Sequence, residues 1–358
     1  AHAWLDGCTK RHLQCQYVNT GYQPPRLLDL SGDNPRLQTT RNGNNEGTPQ
    51  PYATLSHCWG KNPSFLTLTA SNIEQFSKGI PLQDLPRTFQ DAVELCKRLH
   101  IWYIWIDSLC IIQSGEGSSR DWLHHVTEMG QIYNFCIVNI AATHAEDAHA
   151  GLYAQRSPEN IRPAVIAHQS SHRLFEEQYL LAHLGMDSFG YHDSPLGRRG
   201  WVFQERLLSP RILHFAQEQV FWECSKSYHI CETFPAGITL PTDNYYFQPP
   251  TVFDLPSGVE FDDPNIIPKT TFNKLIEEYT SRQLTYPDVD KFAAFAGVAE
   301  HFDYYLQDQY VAGIFRRYLP QALLWKSSSS SLIPPLARSS YRCPSWSWAK
   351  LDCKVEPF

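Results

Sequence analysis

The chain has 358 residues, room for one large domain or two ordinary ones. Its 42% hydrophobic content, with 10 Trp, 18 Tyr and 19 Phe to bury, excludes a disordered chain. A formal net charge of −7 argues against a non-specific nucleic-acid binder, which needs a basic surface.

Residues 1–50 read as a lead-in: a short helix, then a segment rich in Asn, Gly, Pro and Thr in which Asn42 to Pro51 is an exposed loop. Ala1 to Cys15 lacks the continuous apolar core of a signal peptide. No apolar run approaches the ~20 residues that span a bilayer. The expected setting is cytoplasmic, with no membrane partner. Cys8, His12 and Cys15 fall at i, i+4 and i+7, which a helix would place on one face. Two readings stay open. The cysteines serve as small hydrophobes on an amphipathic helix, or the three residues belong to a zinc site, which needs about four ligands. Cys224, Cys231, Cys343 and Cys353 are the candidates for the fourth.

Tyr52 to His57 reads as a short strand. Leu85-Pro86 then opens a helix, with Phe89, Ala92, Val93, Cys96 and Leu99 at helical spacing. Ile101 to Ile106 is a continuous apolar run, as expected of a buried strand. After the polar loop Ser114 to Ser119, Asp121 is a candidate cap for a helix carrying Trp122, Val126, Met129 and Tyr133. Cys136 to Ala142 is a third buried strand. This alternation predicts an α/β fold with a parallel sheet. Beyond Gly151 it fades. Ala164 to Ile166 and Val220 to Trp222 suggest further strands; Phe272 to Tyr279 and Phe292 to His301 suggest helices. Gln248 to Pro268 reads as a surface excursion and Ser327 to Ser331 as a mobile tract. The ten cysteines are too sparse for a disulfide scaffold, so most are expected reduced and buried, with at most one disulfide.

In a parallel sheet the C-terminal strand ends gather at one edge, where ligands bind. Cys58-Trp59-Gly60, Asp107-Ser108 and Thr143-His144 follow the three strands and so face one crevice. Gly60 lets a backbone or ligand approach closely. Asp107 ends a very apolar strand and must find a partner. Each residue also has a plainer reading. Trp59, Trp105 and Trp201 are core, Asp107 caps the next turn, and Cys58 is inert. Arg199, Glu205 and Arg206 then form a structural ion pair. His57 and Cys58 are neighbours on a strand and point to opposite faces, so they are no dyad. A base for Cys58 would come from His144 or His214.

Three segments together resemble the signature of the fungal HET (heterokaryon-incompatibility) domain family. They are Thr54-Leu55-Ser56-His57-Cys58-Trp59-Gly60, Trp105-Ile106-Asp107-Ser108-Leu109-Cys110-Ile111-Ile112-Gln113, and Arg199-Gly200-Trp201-Val202-Phe203-Gln204-Glu205-Arg206-Leu207-Leu208-Ser209. Asp121-Trp122 and Met129-x-x-x-Tyr133 lie between them, and Trp4-Leu5 and Pro344-Ser345-Trp346-Ser347-Trp348-Ala349 flank them. The resemblance implies a core domain over 51–215, preceded by the lead-in 1–50 and followed by an extension, 216–358, packed on the core.

It also implies a TIR/flavodoxin-like parallel-sheet core, with helical and β additions in the C-terminal half. Some TIR domains cleave NAD with a Glu near the ribose. On that analogy Glu205 is the catalytic carboxylate, with Asp107 and Cys58 the other catalytic candidates. Trp59 or Trp201 would stack the base. Gly60, Ser108, His144, Gln204 and Arg206 complete the expected binding set for a nucleotide-like small molecule, and no cofactor is required. The competing readings are a cell-death module that acts by self-association alone, and a stand-alone fungal biosynthetic enzyme using Cys58 or Glu205. One position departs from the family. Many members carry Glu three residues after the Trp of the second helix, where this chain has His125, with Glu128 beside Met129 instead. If that Glu is functional in the family, this chain has altered or lost the activity.

Overall fold

The structure, a computed structural model, describes residues 1–12, 15, 21–40, 49–157, 164–168, 178–182, 191–224, 230–231, 266–328 and 341–358. The chain opens with helix α1 (His2–Arg11) and the hairpin of β1 (Arg26–Asp29) and β2 (Arg36–Thr39). There follow β3 (Ala53–Ser56), α2 (Ile73–Lys78), α3 (Arg87–Arg98), β4 (Tyr103–Trp105), the single turn α4 (Asp107–Cys110), α5 (Ser118–Asn134) and β5 (Val138–Ala141). Strands β6 (Ala164–His168) and β7 (Gln178–Ala182) form a separate antiparallel pair. Helix α6 (Val202–Leu208) leads into β8 (Arg211–Phe215), β9 (Val220–Cys224) and β10 (Ile230–Cys231). Helices α7 (Ile266–Thr280), α8 (Pro287–Ala293) and α9 (Ala296–Leu306) come next. Two short antiparallel pairs complete the fold: β11 (Tyr310–Val311) with β12 (Ile314–Phe315), and β13 (Trp325–Ser327) with β14 (Val355–Pro357).

The main sheet has eight strands in the order β10-β9-β8-β5-β3-β4-β1-β2. Its centre is parallel: Ala53 pairs with both Ile104 and Val138, and Asn139 with Ile212. Counted along the chain, these four strands stand in the order second, first, third, fourth. That is a flavodoxin-like winding, whose switch point lies between its first and third strands, here β3 and β5. Antiparallel strands extend both edges, β1–β2 beyond β4 and β9–β10 beyond β8.

The predicted core elements form where the apolar patterning is local. β3 and β5 are buried at every position, which is why they read as unbroken runs. In α3, Phe89, Ala92, Val93 and Cys96 are buried along one stripe. Elsewhere the structure corrects the reading. Helix α5 starts at Ser118, after Gly117 in the left-handed region, so Asp121 is not its cap. The Asp121 carboxylate instead accepts the Ile112 N–H at 2.8 Å and pairs with Arg26. The expected helix 292–301 is two helices, broken at Ala294-Phe295. β1, β2 and β8 were not anticipated; in β8, Arg211 and His214 interrupt the apolar run.

One hydrophobic core packs on the sheet and runs from Cys8 to Cys224. A second joins Phe203 to α7, α9 and the tail through Trp348 and Val355. Helix α6 sits where they meet: Phe203 belongs to the second, Leu208 to the first, and Trp201 packs on both. Five of its residues, Val202, Phe203, Gln204, Glu205 and Leu208, are buried. A helix enclosed on several sides shows no amphipathic stripe, so periodicity does not mark it in the sequence.

Among the described residues no helix is long and apolar enough to cross a membrane. The nine described cysteine side chains form no disulfide with one another, and all but Cys353 are buried. Most of the expected excursion 248–268 and residues 329–331 of the serine tract lie outside the described residues, as do 42–48 of the expected loop. Ser327, expected to be mobile, is paired in β13 with Val355.

Candidate functional site

On β3 the side chains alternate. Thr54 and Ser56 face Asn139 of β5, while His57 faces Phe89 of α3 at 4.8 Å between ring centroids. The Thr54 hydroxyl donates to Asn139 Oδ1 at 3.2 Å, and Asn139 Nδ2 donates to Ser56 Oγ at 3.0 Å. The Ser56 hydroxyl then donates to the Glu205 carboxylate. All four residues are buried. The result is a directional chain of hydrogen bonds running through the sheet to α6, each bond polarising the next.

Glu205 makes no ion pair with a described residue. Burial pushes its carboxyl up to about 7, Asp107 adds to that, and the Ser56 hydrogen bond, Arg199 and Tyr133 oppose it. A carboxyl poised near neutrality can both give and take a proton.

Asp107 begins α4 at the end of β4. Its Oδ2 accepts the Trp59 indole Nε1–H at 2.9 Å, and its Oδ1 accepts the Ser108 N–H at 2.6 Å. His57 Nδ1 lies 3.7 Å from the same carboxylate. Burial pushes His57 down to about 4, so the ring is neutral at pH 7. Its Nε2 and the Ser108 hydroxyl are buried without a hydrogen-bond partner among the described residues. Arg199 donates to the His57 carbonyl and its charge reaches both Cys58 and Glu205. Trp59, Gly60, Asp107 and Arg199 are partly exposed and border the buried Ser56, Cys58 and Glu205. Cys58, Trp59, Asp107, Ser108 and Glu205 thus share one neighbourhood.

The other expected site residues are committed elsewhere. His144 Nε2 is 3.2 Å from the Leu152 carbonyl, and His214 lies between Thr143 Oγ1 at 3.3 Å and Glu223 at 2.8 Å. Neither is placed to deprotonate Cys58. Burial pushes that thiol up, so it stays protonated at neutral pH and is a poor nucleophile. Gln204 accepts the Gly297 N–H at 3.2 Å, against α9. Trp201 packs between the cores, near Asp290, whose carboxyl burial pushes up. Arg206 forks onto Glu223, with both bonds 3.0 Å, and lies over the Tyr191 ring at 4.3 Å. The ion pair expected among Arg199, Glu205 and Arg206 therefore has another acid as its partner. Gly60 admits a close approach by the chain itself: with φ of 87°, a Cβ there would meet the Asp147 side chain at 2.9 Å. His125 is fully buried and its Nδ1 bonds the Asp121 carbonyl at 2.8 Å, while Glu128 accepts the Tyr22 hydroxyl at 3.1 Å.

Sequence reasoning missed Ser56, Asn139 and Tyr133 as companions of Glu205. The signals were present. Asn139 is a polar side chain in the middle of an apolar strand, and Ser56 shares its face of β3 with Thr54.

A separate cluster brings the ligand atoms of Cys8, His12, Cys15 and Cys224 within 4.8 Å of one another, a group able to hold a metal ion. It is not the helical face expected. α1 ends at Arg11, His12 is extended, and the Cys15 N–H bonds the His12 carbonyl at 3.0 Å. A continuous helix would spread positions i and i+7 about 10 Å along its axis; the break folds Cys15 back. Cys343 is buried in the other core, and the Cys231 side chain lies outside the described residues.

No curated protein and no solved structure matches the chain. Residues 52–205 match the family model described as Heterokaryon incompatibility protein (HET). The matched stretch opens just before β3 and closes on Glu205, so it contains both partners of the Ser56–Glu205 hydrogen bond. Residues 52–205 therefore form a HET domain, the domain of heterokaryon-incompatibility proteins.

Proposed function

We propose that this HET domain is a cell-death effector whose crevice hydrolyses the N-glycosidic bond of a nucleotide such as NAD, in the manner of a TIR-like site. The observation that carries this reading is Glu205. It is a buried carboxyl pushed up to about 7, set beside the switch point of a flavodoxin-like sheet and fed by a hydrogen-bond chain. In the reaction the C1′–N bond breaks and its electron pair leaves with nicotinamide. The ribose passes through an oxocarbenium-like state that the Glu205 carboxylate stabilises, and water adds at C1′ while giving up a proton. NAD⁺ and water thus yield ADP-ribose, nicotinamide and H⁺. Trp59, fixed by Asp107 at the partly exposed border, offers a face for the base.

The test is chromatographic detection of nicotinamide after incubation with NAD, comparing wild type with Glu205→Gln. Release by wild type and none by the variant is expected. Equal release by both would move the chemistry away from Glu205, and no release by wild type would reject the hydrolase reading. The alternative is a module that signals by assembly alone. One observation favours it: Glu205 is itself only 7% exposed, as a structural group would be. In that case Glu205→Gln alters stability or oligomeric state, and NAD is untouched.

A further inference from the structure

We infer that Cys8, His12, Cys15 and Cys224 bind one zinc ion that pins the N-terminal helix to strand β9 of the main sheet. The site is separate from the Glu205 crevice and independent of the function proposed for it.

Three sulfurs and one imidazole are a soft donor set. It suits zinc and does not suit Mg²⁺ or Ca²⁺, which take oxygen ligands. The spacings of His12 to two of the sulfurs are those of a tetrahedral site. With zinc–ligand bonds of about 2.0–2.3 Å, ligand atoms stand about 3.5–3.8 Å apart. His12 Nδ1 lies 3.5 Å from Cys224 Sγ and 3.9 Å from Cys15 Sγ. The three cysteines are at most 3% exposed, while His12 is partly exposed and leaves a path of entry.

Arg211 is the independent observation. This arginine of β8 is fully buried, and among the described residues no carboxylate lies within ion-pair distance of it. It faces the cluster: Nε–H donates to Cys8 Sγ at 3.2 Å, Nη2 donates to the Cys15 carbonyl, and Nη1 donates to the Ile137 carbonyl at 3.0 Å. A buried guanidinium beside neutral thiols would be an uncompensated charge, which is costly. Zinc with three thiolates and a neutral imidazole carries a net charge of −1, and Arg211 cancels it. An N–H donor to a ligating sulfur is also the usual support outside the ligands themselves. With four protein ligands the site is closed, so its role is structural. It joins α1 and the turn after it to β9, through a ligand pair 212 positions apart.

The test is elemental analysis of the full chain, purified without a polyhistidine tag and under reducing conditions. One zinc per chain is expected. Exchange with Co²⁺ should give thiolate-to-metal charge-transfer and tetrahedral d–d absorption. Cys224→Ser should lose both signals, while Cys343→Ser, in the other core, should keep them. Arg211→Met should weaken zinc binding by about 10–100-fold. The wild-type measurements hold even if Cys224→Ser fails to fold. Absence of zinc together with no cobalt–thiolate band would overturn the inference. So would a disulfide among Cys8, Cys15 and Cys224 in non-reduced peptide maps, or iron as the bound metal.

Discussion

Asp107 holds Trp59: the indole Nε1–H donates to the carboxylate at 2.9 Å, across 48 positions of sequence. The two residues follow neighbouring parallel strands, β3 and β4, and meet because those strands end at the same edge. The same carboxylate ties down the first turn of α4 through Ser108 N–H and lies beside the neutral His57 ring. One acid therefore orients the Trp59 indole and adds negative charge near Glu205.

Asp107→Ala frees the indole and removes that charge. Loss of the charge-assisted hydrogen bonds should lower stability by about 1.5–3 kcal/mol, measured by urea unfolding. The carboxyl of Glu205 should then titrate at lower pH, because Asp107 contributes to its upward push. Infrared titration of the protonated carboxyl, against a Glu205→Gln blank, reads this directly. An unmoved titration would show that the two acids are uncoupled.

Glu205 itself links stability to pH. Its folded value of about 7 lies above the ordinary 4.5. Between those values the unfolded chain has already released a proton that the folded chain keeps. Stability from this group therefore falls as pH rises from about 4.5 to about 7, by roughly 3 kcal/mol in total. Glu205→Gln keeps an acceptor for Ser56 and carries no charge. The variant should be more stable than wild type at pH 7.5 and nearly equal at pH 4.5, by denaturant midpoints at the two values. A variant less stable than wild type at both would reverse this reading.

His57 acts in the opposite direction. It is buried and neutral, with a folded value of about 4 against an ordinary 6.5. The unfolded chain takes up the proton first, so stability is lost as pH falls from about 6.5 to about 4, again by roughly 3 kcal/mol. Replacing it, His57→Gln, should flatten the acid limb of a plot of melting temperature against pH. Persistence of the wild-type slope in that variant would assign acid unfolding to other groups.

Arg206 of α6 forms an ion pair with buried Glu223, whose carboxylate also bonds the buried His214, held below its ordinary pKa by burial. Arg206→Met strands Glu223 beside a neutral histidine. A broken buried pair costs about 3–5 kcal/mol, so a marked fall in thermal midpoint is expected. The double variant Arg206→Met, Glu223→Gln should recover part of the loss. Equal destabilisation by the single and double variants would mean that the arginine contributes by packing on Tyr191 instead.

The alternation of apolar runs and helical stripes by itself determined the parallel core. Ala53–Ser56 and Val138–Ala141 are buried throughout and Tyr103–Trp105 beyond its first residue, and that burial is written in local unbroken apolar runs. The convergence of Trp59 and Asp107 followed from the same pattern, because parallel strand ends must meet at one edge. Only the tertiary structure decided which buried polar groups satisfy one another. Glu205 finds Ser56 at a separation of 149 positions, and Arg206 takes Glu223 rather than Glu205. Cys224, and not Cys343 or Cys353, joins Cys8, His12 and Cys15. Strand β8 was hidden because its buried Arg211 and His214 look like surface residues until their partners arrive from α1, the turn after it and β9. Periodicity records which side of an element is buried. It carries no information about which distant donor or acceptor completes a buried charge, and at this chain's candidate sites that pairing sets the chemistry.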